Sequence, residues 1–108
     1  YLSLMKNCDL LLGNSSSGIL EAPSLKIPSV NIGKRQNGRL KSISVIDSKT
    51  SHTDIYKSIK KALSQSFKKK VLKAENIYYK KDSSKKIFNI IKSINVNKLS
   101  YKNFKDIN

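Results

Sequence analysis

Asp9-Leu10-Leu11-Leu12-Gly13-Asn14-Ser15-Ser16-Ser17-Gly18-Ile19-Leu20-Glu21 is the stretch on which the fold turns. Residues 9–12 form a short apolar run stopped by Gly13-Asn14, the pattern of a buried strand. Ser15-Ser16-Ser17-Gly18 opens the next element, and Ile19, Leu20, Ala22 and Leu25 continue it. The spacing predicts a helix from near Ser16, with Pro23 in or near its first turns, where proline is tolerated. A buried strand therefore passes through a loop of small residues straight into a helix.

Working outward, Tyr1 to Cys8 reads as the end of a helix, with Leu2, Leu4 and Met5 apolar. Lys26-Ile27-Pro28 ends the second helix. Ser29-Val30-Asn31-Ile32 is a second short strand, closed by Gly33. Lys34 to Lys41 is polar and carries Gly38, which marks a loop or the start of a short helix. Ile43-Ser44-Val45-Ile46 reads as a third strand. Thr53 or a neighbour caps a helix from Asp54 to about Phe67, with Ile55, Ile59, Ala62 and Leu63 on one face. Residues 68–82 are lysine-rich and read as irregular. Ser83 or Ser84 caps a last helix carrying Ile87, Ile90, Ile91 and Ile94 at helical spacing. From Asn95 onward the pattern fades into a polar tail, and there are no internal repeats.

Strands and helices in this alternation argue for a parallel α/β sheet. About three strands are visible, too few to cover both faces of a sheet. The N-terminal part of the sheet is therefore expected to be missing. The chain does not open on Met and reads as a piece of a longer protein.

The 108 residues allow one domain at most. Hydrophobic residues make up 38%, below the usual share of about 45–50%. No apolar run approaches the roughly 18–20 residues of a membrane-spanning helix. The opening residues lack the basic region and long apolar core of a secretory signal. One cysteine, Cys8, excludes an internal disulfide framework and a multi-cysteine zinc site. Cys8 sits beside an apolar strand and reads as a small core residue. His52, the one histidine, reads as a solvated loop residue and leaves little material for a metal site. The net charge is +15, from 22 basic and 7 acidic residues. Nucleic acid is the default partner for such a chain. Only Arg35 and Arg39 are arginines, however, and the lysines are spread through the second half. That distribution fits solvated helix faces better than a phosphate footprint.

Chemistry concentrates around the serine loop. Free backbone N–H groups at a helix start, small residues and hydroxyls together make a phosphate cradle at the carboxyl end of a strand. Local physics fits an ordinary helix cap equally well. Glu21 lies about one and a half turns into the expected helix. It is placed to accept hydrogen bonds from vicinal ribose hydroxyls, or to serve as a surface residue favoured by the dipole. Arg35 and Arg39 follow the second strand at the same sheet edge. There they face a bound diphosphate or stand solvated in a loop. Gln36 and Asn37 read as loop polars without a derivable role. Tyr78-Tyr79 reads as packing against the domain. One histidine so placed supports no Ser-His-Asp or Cys-His arrangement, and no P-loop is present.

Four segments in combination are similar to the UDP-N-acetylglucosamine 2-epimerases. They are Gly13-Asn14-Ser15-Ser16-Ser17-Gly18, Glu21-Ala22-Pro23-Ser24, Pro28-Ser29-Val30-Asn31-Ile32-Gly33 and Arg35-Gln36-x-Gly38-Arg39. The likeness is closest to the hydrolysing branch, which releases UDP and an N-acetylmannosamine-type sugar for sialic- or legionaminic-acid synthesis. The non-hydrolysing branch typically has Ser-Gly-Gly and Thr-Glu-Arg-Pro-Glu at the places held here by Ser15-Ser16-Ser17 and Gln36-Asn37-Gly38-Arg39.

The resemblance implies the C-terminal Rossmann-like half of a two-domain GT-B fold over residues 1–94, followed by a polar tail over 95–108. It implies a UDP-sugar held by Ser15, Ser16, Glu21 and Arg35, with Ser17, Gly18 and Arg39 beside them. The acid/base carboxylates and catalytic histidine are expected upstream, so this segment binds the nucleotide half of the substrate and does not catalyse alone. The expected partner is the missing N-terminal domain, with no nucleic acid, no membrane, no cofactor and no metal. The polar tail is a candidate docking element compatible with a homo-oligomer. A cytoplasmic location is expected. One departure concerns the loop before the last helix, where the family often has Asn-Pro-Tyr-Gly and this chain has Asn76-Ile77-Tyr78-Tyr79. A glycosyltransferase of the same architecture and a lysine-based nucleic-acid module are the competing readings.

Overall fold

The computed structural model describes residues 1–95; the tail beyond lies outside the described residues. The elements in chain order are α1 (Leu2–Lys6), β1 (Leu11–Gly13), α2 (Ser17–Leu20), β2 (Ser29–Ile32), β3 (Val45–Ser48), α3 (His52–Leu63), α4 (Gln65–Leu72) and α5 (Ser83–Ser93). The protein is α/β. Among the described residues its sheet has three strands in the order β1-β2-β3. Both pairs are parallel: Leu12 faces Val30, and Val30 faces Ile46. Strand β2 is central, with β1 and β3 at its edges.

Alternation along β2 decides which layer packs where. Val30 joins Ala62, Phe67 and Val71 in one core, with Leu10, Ile32 and Ile46 packed against it. That core lies under α3 and α4. The neighbouring residues Ser29 and Asn31 point the other way and are small or polar. This lets α2 approach closely: the buried Ser29 hydroxyl donates to Gly18 O at 2.7 Å. A Cβ added at Gly18 would stand 3.3 Å from Ser29 Cβ, so glycine is what the contact accepts. A second core of Met5, Ala22 and Ile27, with Leu11 and Leu25, closes this face.

Several expectations need correction. The helix after the serine loop is a single turn. Residues 21–26 continue as turns, because Pro23 offers no N–H and Lys26 takes a left-handed backbone (φ 59°). The third strand is Val45–Ser48 rather than 43–46: Ile43 is 60% exposed, and the strand starts only after a turn closed by Val45 N–H to Ser42 O. The helix expected over 54–67 is two helices. Ser51, not Thr53, caps α3 by accepting from Asp54 N–H. Ser64 leaves the helical region (φ −66°, ψ 145°) and caps α4 by accepting from Phe67 N–H. Residues 68–72, expected to be irregular, are therefore helical as part of α4, with Phe67 and Val71 buried one turn apart. Asp82, in a left-handed conformation, precedes α5 in place of a serine cap. Cys8 is exposed, because α1 ends just before it, and its thiol donates back to Leu4 O. Ile87, Ile90 and Ile91 share α5 as expected, Ile94 stands just past it as the C-cap, and all four are exposed.

Candidate functional site

The strands run parallel, so the loops after β1 and β2 emerge at the same edge of the sheet. Gly13 ends β1 at φ 147°, outside ordinary side-chain-bearing conformations, and turns the chain into the serine loop. There the Ser17 hydroxyl donates to Ser15 Oγ at 2.9 Å, and Ser17 N–H reaches the same oxygen at 3.3 Å. Ser16 occupies the N-cap position without a side-chain cap bond. A cleft of about 260 Å³ lies against Gly13, Ser15, Ser17 and Gly18, with Ser29 and Asn31 on its sheet side. Because α2 has four residues, its dipole is that of a single turn. The donor capacity of this place lies in the loop amides and hydroxyls, not in a long helix.

The second loop is held against the first. Gln36, only 4% exposed, donates from Nε2 to Asn14 O at 2.8 Å. This bond pins the turn carrying Arg35 and Arg39 to the entrance of the serine loop. Both arginines are exposed, and neither guanidinium has a hydrogen-bond or ion-pair partner among the described residues. They are free to meet an anion at this edge, though neither lines the cleft.

Glu21 stands at the C-cap of α2, not within a longer helix as expected. It is partly buried, and its Oε2 is buried with no partner. A carboxylate oxygen withdrawn from water without a donor is costly, so this atom is an open acceptor. The structure thus brings Ser15, Ser17 and Gly18 together at one cleft, keeps Ser16 in the same loop, and sets Glu21 one turn further on.

Sequence reasoning missed Gln36 and Asn31. Gln36 sits between exposed residues in an aperiodic loop, where no pattern signals burial. Asn31 occupies the alternate face of β2 and donates to Asp47 Oδ1 at 2.7 Å. Asp47 also pairs with Lys41 at 2.9 Å. Burial alone would raise the Asp47 carboxyl, but the Asn31 bond and the Lys41 ammonium outweigh it and hold the group below the ordinary carboxylate value.

Segment 74–79 is tied to the end of α2 and to the residue after the arginine turn. Asn76 Nδ2 donates to Leu20 O (2.7 Å) and Ser24 Oγ (2.6 Å). The Tyr78 hydroxyl, expected to pack on the domain, donates to Leu40 O at 3.0 Å. His52 is exposed, as expected, but it opens α3 instead of lying in a loop. Among the described residues no three His, Cys, Asp or Glu side chains gather as a metal site, and no helix is long and apolar enough to cross a membrane.

A parallel α/β unit with a serine loop and a cationic turn at the carboxyl edge has the layout of open α/β enzymes. Residues 1–92 match the family model described as UDP-N-acetylglucosamine 2-epimerase, and the chain belongs to that family. It is 39% identical over 108 residues to the Escherichia coli polysialic acid biosynthesis protein P7, covering 99% of this chain and 28% of the relative. It is 41% identical over the same shares to the hydrolysing GDP/UDP-N,N'-diacetylbacillosamine 2-epimerase of Campylobacter jejuni. The hydrolysing UDP-N,N'-diacetylbacillosamine 2-epimerase of Legionella pneumophila is 36% identical over 94 residues, covering 87% of this chain and 24% of that protein. The chain thus spans about a quarter of the length of these curated relatives.

Proposed function

We propose that this chain carries the nucleotide-diphosphate site of a hydrolysing UDP-sugar 2-epimerase, with the acid/base groups supplied by sequence outside it. In the GT-B arrangement that the resemblance implies, the two halves close on the substrate. Water and a UDP-2-acetamido sugar give UDP and the C2 epimer of the free sugar. A base takes the C2 proton while the C1–O bond breaks, and UDP leaves with the bonding pair. Water then adds across the resulting C1–C2 double bond, oxygen to C1 and hydrogen to the opposite face of C2.

The departing diphosphate gains negative charge. Donors already fixed in place stabilise such charge without reorganisation. The serine-loop hydroxyls and amides are the fixed donors on one side, and Arg35 is the mobile cation on the other. Glu21 Oε2 takes the ribose hydroxyls. The observation that carries this reading is the Gln36 Nε2 to Asn14 O bond: it fastens a turn with two unpaired arginines to the serine loop. The hydrolysing 2-epimerases among the relatives favour the hydrolysing reaction, and the GDP/UDP enzyme of Campylobacter jejuni leaves both UDP and GDP as carriers.

Calorimetric titration of the chain with UDP and with GDP at about 0.15 M salt tests the reading. Saturable binding is expected, with Arg35→Ala losing about 1.5–3 kcal/mol, the size of a charge-assisted bond. A folded chain that binds neither nucleotide, and instead binds a short DNA duplex with steep salt dependence, would sink it.

A further inference from the structure

We propose that Asn76 and Tyr78 form a latch that sets the spacing between the serine loop and the arginine turn, which makes them positioning residues for the bound diphosphate. The inference rests on the site reading above and adds to it a device whose tyrosine lies 38 positions beyond Leu40 in the chain. Asn76 holds the α2 side. Its amide donates to the last carbonyl of α2, Leu20 O, and to the Ser24 hydroxyl. Its own Oδ1 accepts from Tyr78 N–H at 2.9 Å, which fixes the rotation of the tyrosine. Tyr78 then reaches across to Leu40 O, next to Arg39. One short segment therefore touches the end of α2, which follows the serine loop, and Leu40, which follows the arginine turn. Lys26 Nζ donates to Ala74 O and ties the start of the same segment to the turn before β2.

The arrangement is more than general packing. Tyr78 is 44% exposed, so its hydroxyl bond spans the surface between loops instead of filling a core. The α2 side is also held by the Ser29 hydroxyl at Gly18 O, and the arginine turn by Lys41 at Asp47; the Gln36 bond and the latch are the ties that join the two. With Gln36 at one end and the latch at the other, the arginine turn has two such ties and cannot pivot away from the cleft. Removing the Tyr78 hydroxyl bond leaves the turn held by Gln36 at Asn14 and by Lys41 at Asp47, without its tie to the α2 side. The tyrosine supplies this hydroxyl at the loop where Pro and Gly are absent.

The decisive variants are Tyr78→Phe, which deletes only an exposed hydroxyl, and Asn76→Asp, which keeps the acceptor for Tyr78 N–H and loses both donors. Backbone amide exchange is followed in the free chain at Asn37 and Arg39 and, as a reference, at Val30 and Ile46. Exchange in the 37–40 turn is expected to quicken about three- to tenfold, the scale of one neutral hydrogen bond, with the strands unchanged. Unchanged exchange in the turn, or an equal rise in the strands, would overturn the latch. UDP affinity is measured in parallel, and the same three- to tenfold weakening is expected with an unaltered thermal midpoint. Undiminished affinity would overturn the positioning role. If the parent chain binds no UDP, the site reading fails, and the exchange measurement alone decides whether the latch fixes the turn.

Discussion

Asp47 shows how a residue at the site's margin responds to its surroundings. Its folded carboxyl lies below the ordinary value because Asn31 and Lys41 favour the anion more than burial disfavours it. A depressed carboxylate stabilises the fold at pH values above its unfolded pKa. That contribution disappears as pH falls through the folded value, below about 4. Its side chain is 57% exposed, so solvent screening limits the gain to about 0.5 kcal/mol. Asp47→Asn is expected to lower stability by that amount at pH 7, and the difference is expected to shrink as pH falls, read from urea unfolding over a pH series. The residues that the sequence made legible are those whose chemistry is local. Ser15, Ser17 and Gly18 gather because they are neighbours in a loop that one glycine turns. Gln36 was illegible because its burial comes from a partner 22 positions away in the chain.

Elements were legible where punctuation bounds them. Strand β2 runs from Ser29 to Ile32, as expected, because Pro28 precedes it and Gly33 follows. Strand β3 lies two residues later than expected, since apolar Ile43 points to solvent while Ser42 and Ser44 are buried. The α3–α4 break is hidden for a different reason. Apolar spacing runs on through Ala62 to Phe67, and only the cap chemistry of Ser64 interrupts it. That gives a prediction: Ser64→Ala removes the acceptor for Phe67 N–H and the donor to Lys61 O. The cost is expected to be about 1 kcal/mol, measured as a lower thermal midpoint with α3 and α4 partly merging. Thr53→Ala, at the site expected to cap α3, is expected to cost less than about 0.5 kcal/mol. Cap identity was thus the unreadable part of the helical region, because adjacent Ser51, Thr53 and Ser64 offer similar hydroxyls.

At the scale of the molecule, fold class followed from alternation alone, and the family from four loop segments. The charge was harder to interpret. Lys57, Lys60, Lys61, Lys69 and Lys70 are exposed on α3 and α4, and two lysines pair with carboxylates among the described residues, at Asp47 and Asp9. Among the described residues β1 and β3 each have one neighbour, which leaves backbone donors and acceptors along both outer edges of the sheet in this segment. Unpaired edges are templates for another copy of the same strand, and Leu12 on β1 is 48% exposed. Mutual repulsion from the net charge of +15 keeps such edges apart at low ionic strength, where its range is about 30 Å at 0.01 M salt. At 1 M salt that range shrinks to about 3 Å. Sedimentation is expected to show a single small species at low salt and self-association at high salt. A salt-independent profile would mean that the edges are protected by geometry. For the isolated segment the lysine excess then acquires a colloidal meaning: it keeps an incomplete sheet dispersed.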